Sequence, residues 1–187
     1  PCTRGKYATG YDATSKEKAT ECALCLAGKY GHNSAVIANR LTVDLACDDC
    51  PAGTYSMARG INGSEGCVKC PPGHFSSQLG LESDECEQCT IDNYTDQTAR
   101  SNCNACPTGW GTNNSLGSTI CVQCDPGTEI SGTMGSRTCV QCGSGQVSTK
   151  LGDSCKQCTP GQYANTDNTG CEMCGAGKWS DTSGATS

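Results

Sequence analysis

Eighteen of the 19 cysteines in this 187-residue chain fall into nine Cys-x-x-Cys pairs. The pairs begin at Cys22, Cys47, Cys67, Cys86, Cys103, Cys121, Cys139, Cys155 and Cys171. Cys2 stands alone, but the Thr-Arg-Gly-Lys-Tyr that follows it matches the tails behind the pairs. It reads as the second cysteine of a tenth pair. The position three after the second cysteine is glycine in nine of ten repeats: Gly5, Gly28, Gly53, Gly73, Gly109, Gly127, Gly145, Gly161 and Gly177. Asp92 is the exception, with Asn93 beside it. The position five after is aromatic in seven: Tyr7, Tyr30, Tyr55, Phe75, Tyr94, Tyr163 and Trp179. Trp110 comes one residue early, and Glu129 and Val147 stand where two repeats lack a ring. A glycine at its position predicts a turn with positive φ. The aromatic predicts one ring per repeat lying over a disulfide.

Composition narrows the choice of chemistry. Apolar residues make up 35% of the chain even with cysteine counted, and there are one Phe and two Trp. A globular domain has about half, so one large oily core is excluded, and with it a compact enzyme. Cysteine at this density marks a disulfide scaffold of the secreted, extracellular kind. Four-thiolate zinc sites and a redox dithiol are the competing readings of Cys-x-x-Cys. Nine consecutive pairs with varied polar residues between the cysteines favour disulfides. A net charge of −6 and no basic stripe argue against a nucleic-acid partner. No run of 18 apolar residues is present to span a membrane. The chain begins without Met or a signal peptide and reads as a segment of something longer.

The simplest connectivity joins the second cysteine of each pair to the first of the next. It gives Cys2–Cys22, Cys25–Cys47, Cys50–Cys67, Cys70–Cys86, Cys89–Cys103, Cys106–Cys121, Cys124–Cys139, Cys142–Cys155 and Cys158–Cys171, and it leaves Cys174 to pair beyond the chain end. A staggered scheme joining alternate pairs is the competitor, and sequence by itself does not choose. Residues 1–46 form two longer, less regular repeats. Residues 47–187 form seven complete regular repeats and a truncated final one. One disulfide and one ring return far less than ordering a repeat's backbone costs, so neighbours must stack, as in solenoids. The expected fold is small and disulfide-rich: an elongated tandem array of short β-hairpins with almost no helix.

The pattern Cys-x-x-Cys-Pro-x-Gly-x-Tyr-Ser, then a Gly-containing loop and the next pair, resembles the ephrin-receptor-like cysteine-rich repeats. These belong to a wider growth-factor-receptor-like group with the EGF- and TNFR-like modules. The closest stretches run from Cys47 to Cys70, from Cys67 to Cys89, and from Cys171 onward. The resemblance implies no catalytic residues and no cofactor. Long arrays of this type look like those of surface proteins of single-celled eukaryotes, including immobilisation antigens and the fibrous proteins of flagellar hairs (mastigonemes). The functional expectation is a non-catalytic structural segment of an extracellular filament or coat. The alternative is a surface antigen or receptor ectodomain whose array is a stalk or ligand-binding face. Expected partners are other extracellular chains, including copies of this one.

Three further features attach to this reading. Sequons for N-linked glycans occur at Asn62, Asn93 and Asn113. The one apolar-rich stretch, 35–46, offers Val36, Ile37, Leu41, Val43 and Leu45 as a contact patch; the bland reading folds it over its own disulfide. Leu41, Val43 and Leu45 alternate, which predicts a strand there. Acidic clusters at Asp48-Asp49 and 82–85 lack a calcium-loop spacing. His32 and His74 lack a neighbouring nucleophile pattern, and no metal site is expected.

Overall fold

The computed structural model describes residues 2–9, 21–31, 43–176 and 178. All nine disulfides of the sequential scheme are present, with Cα–Cα separations of 5.4–5.9 Å. Cys174 is unpaired within the chain. Repeats are numbered here by their disulfide, from Cys2–Cys22 (first) to Cys158–Cys171 (ninth). Eight of them carry a two-stranded antiparallel sheet. In the first four, β1 (Lys6–Thr9) pairs β2 (Glu21–Leu24), β3 (Lys29–Gly31) pairs β4 (Cys47–Asp49), β5 (Thr54–Tyr55) pairs β6 (Val68–Lys69), and β7 (His74–Phe75) pairs β8 (Glu87–Gln88). In the fifth, β9 (Asn93–Tyr94) pairs β10 (Asn104–Ala105). Then β11 (Thr128–Ser131) pairs β12 (Thr138–Gln141), β13 (Gln146–Val147) pairs β14 (Lys156–Gln157), and β15 (Gln162–Ala164) pairs β16 (Cys171–Met173). The sixth repeat has only one bridge, Gly111 to Val122; its ring, Trp110, is the one displaced in sequence.

Every hairpin starts the same way. The residue after the second cysteine accepts a hydrogen bond from the residue three further on, as Pro51 O does from the Thr54 N–H at 3.0 Å. The third turn residue then takes the left-handed backbone a type II turn requires; φ is 84° at Gly53. The hairpin closes when the second cysteine of the next pair donates back to the turn glycine, as Cys70 N–H does to Gly53 O at 2.9 Å.

The chain divides into two units, Pro1–Cys89 with Thr95–Cys103, and Thr90–Tyr94 with Asn104–Ser187. Within the first, backbone hydrogen bonds join successive repeats from the second to the fifth. The third repeat bonds the fourth through Gly53 N–H to Ser76 O, Ser56 N–H to Leu81 O and Gly80 N–H to Cys50 O, at 2.8–3.0 Å. The same three bonds join the second repeat to the third and the fourth to the fifth. In the second unit two of them recur between the seventh and eighth repeats, from Gly127 N–H to Ser148 O and from Gly152 N–H to Cys124 O.

Among the described residues no oily core forms, and what is buried is mostly half-cystines and small hydroxyls. Cys25, Cys50, Cys70, Cys89 and Cys158 are fully buried, and Ser56, Ser76, Thr95, Thr112 and Ser148 are buried beside them. Each of these hydroxyl groups has a hydrogen-bond partner, and no buried side-chain polar atom among the described residues lacks one. All five lie six residues after a second cysteine, a position that Ile130 fills in the seventh repeat.

Two expectations need correction. Residues Val43–Ala46 form a helical turn, α1, not a strand. The second repeat has the longest loop, and a helix takes up surplus chain at about 1.5 Å per residue where a strand takes about 3.3 Å. The turn delivers buried Ala46 and Cys47 onto Cys25, where Tyr7 packs against them. Stacking also reaches beyond the nearest neighbour. A Cβ on Gly53 would fall onto the Ala99 carbonyl, two repeats along, and Gly5, Gly28 and Gly127 meet Gly60, Gly80 and Asp167 in the same way.

This makes glycine doubly necessary at Gly53 and singly necessary at Gly109, which has φ 79° but open space around its Cα. Gly109→Ala is expected to cost about 1 kcal/mol from the left-handed backbone alone. Gly53→Ala is expected to cost at least about 2 kcal/mol, since a clash with backbone is added. Denaturant unfolding of the disulfide-intact variants compares them; equal costs would contradict the second-neighbour contact.

Candidate functional site

Among the described residues no group of three or more His, Cys, Asp or Glu side chains is placed to hold a metal ion. No described helix is long and apolar enough to cross a membrane. At residues 36, 37 and 41 the expected contact patch lies outside the described residues, as do the side chains of Val43 and Leu45. His32 lies outside them too. His74 is set apart in β7, its ring nitrogen 3.3 Å from Pro72 O.

The residue that breaks the glycine column forms the most connected joint. Asp92 takes the same left-handed turn conformation, φ 63°, which Asp tolerates better than most side chains. It is fully buried. Its backbone N–H donates to Thr112 Oγ1 in the sixth repeat at 2.9 Å, and its Oδ1 accepts from Thr112 N–H at 3.4 Å. Oδ2 reaches the seventh repeat and accepts from Gly135 N–H at 2.8 Å and Arg137 N–H at 3.0 Å. Two N–H groups converging on one anionic oxygen form a small nest. At Gly5, Gly28, Gly53 and Gly127 the second neighbour presents a carbonyl, which would repel a carboxylate; here it presents donors. Arg137 completes the joint, its guanidinium donating to Trp110 O at 3.0 Å. Three repeats are thus tied by one side chain. The sequence signal was available: Asp92 is the one non-glycine in its column.

The two repeats without a ring are also tied rather than open. Val147 is buried, and Glu129 accepts from Cys155 N–H at 3.0 Å, reaching into the eighth repeat. The other described rings are half-buried. Tyr30, Tyr55 and Phe75 each bridge the following repeat through parallel backbone pairing, and Tyr7 packs on the next repeat's half-cystines, Cys25 and Cys47. Tyr30 titrates above the ordinary 10.0, because burial and then the charges of Asp48 and Glu65 disfavour its phenolate. Tyr163 is raised chiefly by its hydrogen bond to Glu172, 2.8 Å across the β15–β16 pair.

The sequons are placed differently from one another. Asn62 and Asn113 are exposed, whereas Asn93 is half-buried at the start of β9. No protein-family model matches the chain, and no curated protein sequence matches it. What is established is the architecture: a disulfide-rich tandem array of short β-hairpins.

Asp92→Asn keeps the backbone tolerance but turns a donor group toward converging N–H groups. It is expected to lower stability by about 2 kcal/mol, or about 4–8 °C in melting temperature for a chain this size. Calorimetry without reductant checks this. An unchanged melt would mean the joint contributes nothing.

Proposed function

We propose that this segment is a non-catalytic structural element of an extracellular filament or coat, of which a flagellar hair is the sharpest case. One observation carries the reading: the disulfides run in series. Each joins cysteines 13–22 positions apart in sequence while holding their Cα atoms under 6 Å apart. Tension entering at a Cys-x-x-Cys step therefore crosses a covalent bond and leaves at the next step. The intervening loops hang outside this path and are free to vary in sequence without weakening it. An extended Cys-x-x-Cys step adds at most about 11 Å of stretch, so oxidised chain yields little length under force. Disulfides at this density also fit an oxidising, extracellular setting.

Such a chain sets distance, resists proteolysis and presents loops to partner chains, including copies of itself. Electron microscopy of native extracellular material, labelled with an antibody to this segment, tests the proposal. Label along filaments at a regular spacing is the expected outcome. Label spread over a membrane without filaments would overturn it in favour of an antigen or receptor stalk.

A further inference from the structure

The three sequons present chemically different amides. Asn93 Nδ2 donates to Thr90 Oγ1 at 2.9 Å and to Ile91 O at 3.2 Å. Both of its hydrogens are engaged inside the turn that carries Asp92. A glycan replaces one of them, so a modified Asn93 would lose a bond and force a sugar into that turn. Asn62 is exposed, with its amide oxygen lying against the Gly5 turn of the first repeat.

Asn113 sits otherwise. Asn113 and Asn114 have φ of 49° and 60°, and Ser115 N–H donates to Thr112 O at 3.1 Å. Two left-handed residues inside a hydrogen-bonded four-residue turn make it type I′, with Asn113 exposed at the tip. Its Oδ1 accepts from Cys139 N–H at 3.4 Å. That bond orients the amide and leaves Nδ2 without a partner. The turn accounts for both asparagines, which suit such a backbone, but it does not require the exposed Ser115 that completes the sequon. Exposed apolar side chains follow this turn in the sequence and flank the residues it pairs with. Leu116 and Ile120 are 60% and 62% exposed, and Val122 and Val140 are exposed as well. Val122 bridges Gly111, and Val140 follows the cysteine bonded to Asn113.

We propose that Asn113 carries an N-linked glycan that shields this apolar surface, whereas Asn93 stays unmodified as part of its turn. The proposal rests on the extracellular reading. Nδ2 attacks C1 of an oligosaccharyl diphosphate donor: the N–C bond forms, the C1–O bond breaks, and the diphosphate leaves as an amide proton is lost. Secretion of the chain from a eukaryotic host imposes the compartment, so the result does not depend on where the protein naturally resides. Enzymatic release of glycans in ¹⁸O-water then marks each formerly occupied asparagine in peptide mass spectra. The label is expected at Asn113 and not at Asn93. Ser115→Ala, which keeps the turn and removes the sequon, is expected to abolish that label and raise binding of an apolar dye several-fold, with the disulfide map unchanged. Label at Asn93, an unlabelled Asn113, or unchanged dye binding in the Ser115→Ala protein would each overturn the proposal.

Discussion

The bond from the second cysteine of one pair to the first of the next does for this chain what a hydrophobic core does for others. With so few large apolar side chains, burial cannot hold nearly twenty residues per repeat in place. Closing each loop reduces the freedom of the unfolded chain instead, by about 3 kcal/mol for a loop near 15 residues. It also places two strand ends side by side, so that hairpins of only two residues per strand can form. Hairpins that short are not stable alone. They persist because each lends backbone groups to the next, and the buried half-cystines become the column on which the turns stack.

Glycine and its single replacement show how close that stacking is. The turn glycines Gly5, Gly28, Gly53 and Gly127 are bare because a loop from two repeats along comes against them, so at these turns a repeat is held by its neighbour and its neighbour's neighbour. Asp92 occupies the same slot by changing the partner's polarity from carbonyl to N–H. In five repeats a small hydroxyl six residues after the second cysteine is buried beside the half-cystines. Backbone and covalent bonds carry the architecture, leaving exposed loop side chains free to define surfaces.

Much of this was legible from residue spacing. The Gly and aromatic columns located the turns and strands, and the simplest connectivity is the one present. What remained illegible was contact at a distance. Nothing in the spacing says that Gly53 meets Ala99, or that the Asp92 carboxylate finds Gly135 and Arg137 more than forty residues on. The alternation of Leu41, Val43 and Leu45 suggested a strand, and loop length overrode it with the turn of α1. Spacing predicted a ring over a disulfide but not which one, and Tyr7 packs on Cys25 and Cys47 of the next repeat.

Hydrogen exchange on the oxidised protein tests the central claim most directly. The amides of Gly28, Gly53 and Gly73 donate between repeats, while those of Cys50, Cys70 and Cys89 close hairpins within them. If repeats are stable only as a stack, both sets open together and show similar protection. Exchange of the three glycine amides at open-loop rates, with the cysteine amides still protected, would mean that each hairpin stands on its own disulfide and that the stack is incidental.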